Sequence, residues 1–146
     1  MTEKHLLLVE DNPDDAELTL RAFRKNKVPN EIHVVRDGAE AIEWLLGPRG
    51  AAIAASSMPG MVLLDLKLPK IDGLEVLRRI RADERTRYLP VVILTSSDEE
   101  VDLADGYRLG ANSYVRKPVD FSDFLKATLH LASYWLVLNV VPAVRG

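Results

Sequence analysis

Cysteine is absent from the 146 residues, which excludes disulfides, thiolate metal sites and cysteine nucleophiles together. No run approaches the roughly 18 apolar residues that a membrane-crossing helix needs. The opening Met1-Thr2-Glu3-Lys4-His5 does not lead from a charged region into an apolar signal stretch. A cytoplasmic protein without membrane contact is the expectation. A basic excess is also missing: 19 Lys and Arg face 22 Asp and Glu, for a net charge of -3. No broad positive field would gather phosphate backbones, so direct nucleic-acid binding is disfavoured. His5, His33 and His130 show no metal-ligand spacing, and no repeat recurs at a period of about 20 to 50 residues.

What is present is a globular balance, 47% apolar and 28% charged. The length suits one domain over residues 1–146, burying roughly two-thirds of its unfolded surface. Five short apolar runs, His5 to Glu10, Glu31 to Arg36, Met61 to Asp65, Pro90 to Thr95 and Asn112 to Arg116, read as strands. The third and fourth are apolar without alternation, as expected of central parallel strands covered on both faces.

Helical patterns separate the strands. Pro13 with Asp14, Asp15 and Glu17 opens the first, with Ala16, Leu20 and Phe23 as its core stripe. The second follows Asp37-Gly38 with Ile42, Leu45 and Leu46 inward. The third follows Asp72-Gly73 with Leu77 and Ile80 inward and Arg78, Arg79 and Arg81 free to stay in water. A less regular fourth spans about Asp98 to Leu109. Asp120 caps the last, which should run to about Asn139. Five strand–helix alternations imply right-handed crossovers and a doubly wound α/β sandwich with a parallel sheet. Gly47 to Gly60, rich in Gly, Ala, Ser and Pro, is expected to be a surface loop.

In such sheets, ligands bind beyond the carboxyl ends of the strands. The strands end in Glu10-Asp11, Asp65, Thr95-Ser96 and Lys117-Pro118. Three carboxylates, a hydroxyl and an ammonium therefore meet at one edge. Crowded carboxylates raise one another's pKa unless a cation neutralises them, and an all-oxygen donor set favours a hard ion such as Mg²⁺.

The ordered set Glu10-Asp11, Asp65, Thr95 and Lys117-Pro118 resembles the signature of bacterial response-regulator receiver domains. Leu8-Val9-Glu10-Asp11-Asn12-Pro13, the string Leu64 to Gly73, and Tyr114-Val115-Arg116-Lys117-Pro118 are similar to the family as well. The resemblance covers about residues 5 to 135, with a C-terminal helix extension and tail over about 130–146. It implies a flavodoxin-like, five-stranded sheet in the order 2-1-3-4-5. It also implies that Asp65 accepts a phosphoryl group from a sensor histidine kinase. Mg²⁺ would be held by Asp11, Asp65 and the Lys67 backbone carbonyl, and by Glu10 through water. Lys117 would meet the phosphoryl oxygens. Thr95 and Tyr114 would carry the switch to the face of the fourth helix, fifth strand and fifth helix. The domain would be a signalling phosphoacceptor that assists its own phosphorylation and dephosphorylation, not an enzyme in the usual sense.

Two features depart from the commonest pattern: Glu-Asp stands for Asp-Asp, and Lys67 lies two residues past the acceptor, where it could pair with Glu10 or slow loss of the phosphate. Only 28 residues follow Pro118, too few for an effector, so output is expected through a downstream protein, phosphate relay or self-association. The surplus of apolar residues from Leu129 to Leu138 cannot all face one sheet. Tyr134, Trp135, Leu136 and Leu138 are the expected interface of a homodimer, and Val140 to Val144 folding back over them is the other reading. This terminus also resembles the single-domain regulators that accompany bacterial phytochrome kinases.

Two further readings compete with a phosphorylated receiver. A pseudo-receiver would use the fold without phosphorylation. A haloacid-dehalogenase-like phosphatase would need its Asp-x-Asp on the first strand, whereas Asp65 lies on the third and is followed by Leu66-Lys67. The Gly-x-x-x-x-Gly-Lys loop of a P-loop enzyme is missing.

Overall fold

The structure is a computed structural model that describes residues 4–47 and 58–142. Five strands, β1 (Leu6–Val9), β2 (Ile32–Val35), β3 (Met61–Leu64), β4 (Val91–Thr95) and β5 (Ser113–Arg116), form one parallel sheet in the order β2-β1-β3-β4-β5. The helices α1 (Pro13–Lys25), α2 (Gly38–Leu46), α3 (Gly73–Ala82), α4 (Glu100–Arg108) and α5 (Phe121–Leu131) alternate with them, and a π-helical segment, Ala132–Leu138, prolongs α5. Chain direction along the last helix therefore continues to Leu138, close to the expected end at Asn139.

Successive strand residues point to opposite faces, and the core divides accordingly. Leu7, Val9, Val62, Leu64, Val91 and Ile93 pack with Leu45, Val76, Leu77 and Ile80 of α2 and α3. Leu6, Leu8, Met61, Leu63, Val92 and Leu94 pack with Phe23 of α1, Phe124 of α5 and Leu136 of its extension. Burial of both faces explains why β1, β3 and β4 are apolar without alternation. In α1 the buried stripe is Ala16, Thr19, Ala22 and Phe23; Leu20 is half-buried, at the margin of that stripe. Ile42 and Leu46 pack at the margin of the core while Ala41 and Leu45 are buried.

Arg81 departs from expectation. Rather than staying in water, its guanidinium donates to the carbonyls of Gly110 (2.9 Å) and Leu89 (2.7 Å) and to Asn112 Oδ1 (2.8 Å), and burial lowers its pKa. It ties the end of α3 to the approaches of β4 and β5, where loop carbonyls lack sheet partners. Gly110 sits there with φ +103, a left-handed conformation suited to glycine. Leu136 also departs: it turns inward into the α1/α5 layer with only 5% exposure, and Trp135 is half-buried against the same layer. Within the π-helical segment Tyr134, Val137 and Leu138 stay exposed, at 48%, 71% and 68%, as does Leu129 before it. Residues 48–57 of the expected loop, and 143–146 of the tail, lie outside the described residues.

Arg81→Ala should destabilise the fold by about 2–3 kcal/mol in urea unfolding, the scale of charged hydrogen bonds to buried acceptors. Arg78→Ala, which removes only surface ion pairing to Glu75, should shift the unfolding midpoint far less than Arg81→Ala.

Candidate functional site

Backbone hydrogen bonds extend the sheet by one residue at each strand end and so aim the side chains of the site. The Glu10 amide donates to the Val35 carbonyl (3.0 Å), that of Asp65 to Val9 (3.1 Å), and that of Lys117 to Thr95 (2.7 Å). Gly73 lets α3 start directly over the acceptor, because a Cβ there would stand 2.3 Å from the Asp65 carbonyl oxygen. On the other side, Asn12 caps α1 by accepting the amides of Asp14 (2.9 Å) and Asp15 (3.1 Å), which fixes the turn that follows Glu10-Asp11.

This framework brings Glu10, Asp11 and Asp65 together with a carboxylate oxygen of each within 4.8 Å of the others. Charges at that spacing repel by roughly 3 kcal/mol at an effective dielectric near 20. Lys117 offsets part of this: its Nζ lies 2.6 Å from Glu10 Oε1, 3.2 Å from Asp15 Oδ2 and 3.4 Å from Asp65 Oδ2. Compensation is incomplete. Burial pushes the Glu10 carboxyl up, the Lys117 hydrogen bond opposes it, and the Asp65 charge adds to the rise, leaving it at about 7. For Lys117, burial works against the charge, but Glu10, Asp65 and Asp15 outweigh it and raise its pKa. A pocket with surplus carboxylate, only oxygen donors for a cation and a buried glutamate whose carboxyl is raised fits a small hard divalent cation.

Thr95 is buried at the end of β4, and its Oγ1 accepts the Ser97 amide at 3.3 Å. Ser97 Oγ donates to Asp102 Oδ2 of α4 at 2.6 Å, and the Tyr114 hydroxyl donates to the Ser97 carbonyl at 3.5 Å. Thr95 and Tyr114 thus meet through Ser97, a node that sequence reasoning missed although it lies two residues past Thr95. Helix α4 is held lightly: it has no side-chain cap, and Gly106 is its one buried residue. Asp15 was also missed as a site residue, though it stands one helical turn beyond Asp11. Lys67 is exposed, and its ammonium makes no ion pair with Glu10 among the described residues; its amide donates to Asp65 Oδ1 at 3.4 Å.

Fold and site together define a doubly wound α/β protein with an acidic, cation-seeking centre at the point where the strand order reverses. Residues 6–129 match the response regulator receiver domain family. The response regulator Rcp1 of Synechocystis sp. is 35% identical over 140 residues, covering 96% of this chain and 94% of its own length. Its Mn²⁺-bound structure superposes with a TM-score of 0.82, covering 96% and 99% of the two chains at 35% identity. The phosphorylated cyanobacterial phytochrome response regulator RcpA gives a TM-score of 0.86 at 36% identity, covering 97% of this chain and 100% of that one. The bacteriophytochrome response regulator RtBRR is 48% identical with a TM-score of 0.75, covering 97% and 85%. The chain belongs to the response-regulator receiver family and is a receiver domain of two-component signalling. It is a signalling domain, and the divalent-cation binding of its family is matched by its acidic cluster. No helix among the described residues is long and apolar enough to cross a membrane.

The raised Glu10 carboxyl carries a pH signature. An unfolded glutamate loses its proton near 4.5 and the folded one near 7, so the contribution of Glu10 to cation-free stability should be full below about 4.5 and be lost as pH rises through 7, by roughly 3 kcal/mol. Glu10→Gln should flatten that slope in denaturant titrations run with a chelator.

Proposed function

We propose that Asp65 is the phosphoacceptor, taking a phosphoryl group from a phosphohistidine of a sensor histidine kinase in the presence of Mg²⁺. The observation that carries this reading is the position of Asp65: it closes a fully buried central strand while its carboxylate faces both the acidic cluster and Lys117. One Asp65 oxygen attacks phosphorus, an O–P bond forms, and the P–N bond breaks with its electron pair leaving on the imidazole nitrogen, which then takes a proton. A carboxylate is a weak nucleophile, so alignment and charge neutralisation do the work. Asp11, Asp65 and the Lys67 carbonyl would hold Mg²⁺, with Glu10 reaching it through water; the ion supplies charge neutralisation at the phosphoryl oxygens. Lys117 places its ammonium on the same oxygens without needing bidentate geometry.

Thr95 supplies the switch. Its oxygen accepts the Ser97 amide while its proton stays available to the phosphoryl group, so turning the hydroxyl towards that group would draw in the loop that Ser97 ties to Asp102 and Tyr114. The lightly held α4 then shifts between two arrangements, altering the α4/β5/α5 surface that a downstream protein reads. A phytochrome-type kinase in the cytoplasm is the partner favoured by the likeness to RcpA and RtBRR.

Incubation with Mg²⁺ and acetyl phosphate should label the protein once per chain, and Asp65→Asn should abolish the label. Many turnovers per chain would instead favour a phosphatase, and no labelling with wild type would favour a pseudo-receiver.

We infer further that the chain forms a symmetric homodimer through Tyr134, Val137 and Leu138, whose exposure on one short helical segment is costly in water. Light-scattering mass should rise towards a dimer with concentration, and Leu138→Glu should hold it at the monomer. A wild-type mass that stays monomeric at all concentrations contradicts the inference.

A further inference from the structure

Asp15 contacts the central ammonium of the site, yet it lies outside the strand-end set to which the phosphoryl chemistry is assigned. Its backbone is fixed from both directions: its amide donates to Asn12 Oδ1 (3.1 Å), and its carbonyl accepts the hydroxyl of Thr19 (2.9 Å), a buried residue one turn on. The neighbouring Asp14 is exposed and makes no ion pair among the described residues. Asp15 instead sends its carboxylate across to Lys117 Nζ at 3.2 Å from a half-exposed side chain.

The other two partners of Lys117 change their engagements during the reaction. Asp65 becomes an acyl phosphate, and Glu10 turns its charge towards the cation. A lysine carries four rotatable carbons and a strongly hydrated head, so an ammonium that lost both partners would have to be ordered anew. Asp15 belongs to neither set and can keep its contact throughout.

Resting on the reading that Asp65 is the acceptor, we propose that Asp15 is a positioning residue that anchors the Lys117 ammonium over the acceptor while Glu10 and Asp65 exchange partners. It acts through Lys117 and touches no reacting atom. The contact is partly exposed, which limits its size: losing it should slow the reaction by about threefold to fivefold, the range of a single solvent-screened ion pair.

The test is the rate of labelling by acetyl phosphate with saturating Mg²⁺, measured on the full chain for wild type, Asp15→Asn, Asp15→Glu, Lys117→Ala and the double variant Asp15→Asn/Lys117→Ala. Asp15→Asn should slow labelling by the factor given, Asp15→Glu should recover part of the rate, and the loss should vanish when Lys117 is already absent. Mg²⁺ affinity, measured by isothermal titration calorimetry, should change by less than about twofold in Asp15→Asn. An unchanged rate in Asp15→Asn, or an equal loss with and without Lys117, overturns the proposal. If wild type itself takes no label at Asp65, the failure belongs to the reading of the acceptor and not to Asp15.

Discussion

One ammonium shared among carboxylates is the constraint on which the site depends. Lys117 lies within 3.4 Å of Glu10, Asp15 and Asp65, and without it Glu10 and Asp65, largely buried at the end of the sheet, would repel one another. The lysine reaches that place because its own amide is held by the Thr95 carbonyl, so the pairing of β5 with β4 sets both the ammonium and the hydroxyl beside it. The arrangement leaves more carboxylates than cations, and the Glu10 carboxyl is raised, first by burial and then by the Asp65 charge. That surplus of carboxylate makes the pocket a receptor for a divalent cation rather than a finished salt-bridge network.

The rest of the fold divides into parts that resist movement and a part that does not. β1, β3 and β4 are buried on both faces, and Gly73 allows α3 to press against the carbonyl of the acceptor. Arg81 pins the far end of α3 to the loops entering β4 and β5. Against this rigid background, α4 lacks a side-chain cap and buries little, while Ser97 links its first turn to Thr95 and Tyr114. Chemistry is thus fixed at one strand end and compliance sits beside it, the distribution a two-state signalling surface requires.

Much of this was legible in the residue order. Doubly covered strands declare themselves as unbroken apolar runs, and acids that close such runs are hard to explain by stability alone, which is why Glu10, Asp11, Asp65, Thr95 and Lys117 could be named together. Helix-borne contributions were harder. Asp15 looks like any acid in a first helical turn, where the helix dipole favours it anyway, and only the turn set by Asn12 reveals its reach to Lys117. Arg81 sits on a polar face by periodicity, but the face meets loop carbonyls in place of water. Leu136 belongs to the apolar surplus expected at an interface, but the π-helical segment changes the rotation per residue and turns it into the core.

The central claim is chemical and local: one carboxylate, that of Asp65, becomes the acyl phosphate. Borohydride reduction of the labelled protein converts an aspartyl phosphate to homoserine, and peptide mass mapping then locates it. Homoserine is expected at position 65 and at no other acid. Homoserine at Asp11 or Asp15, or a reduction product at Glu10, with position 65 unchanged, would contradict it.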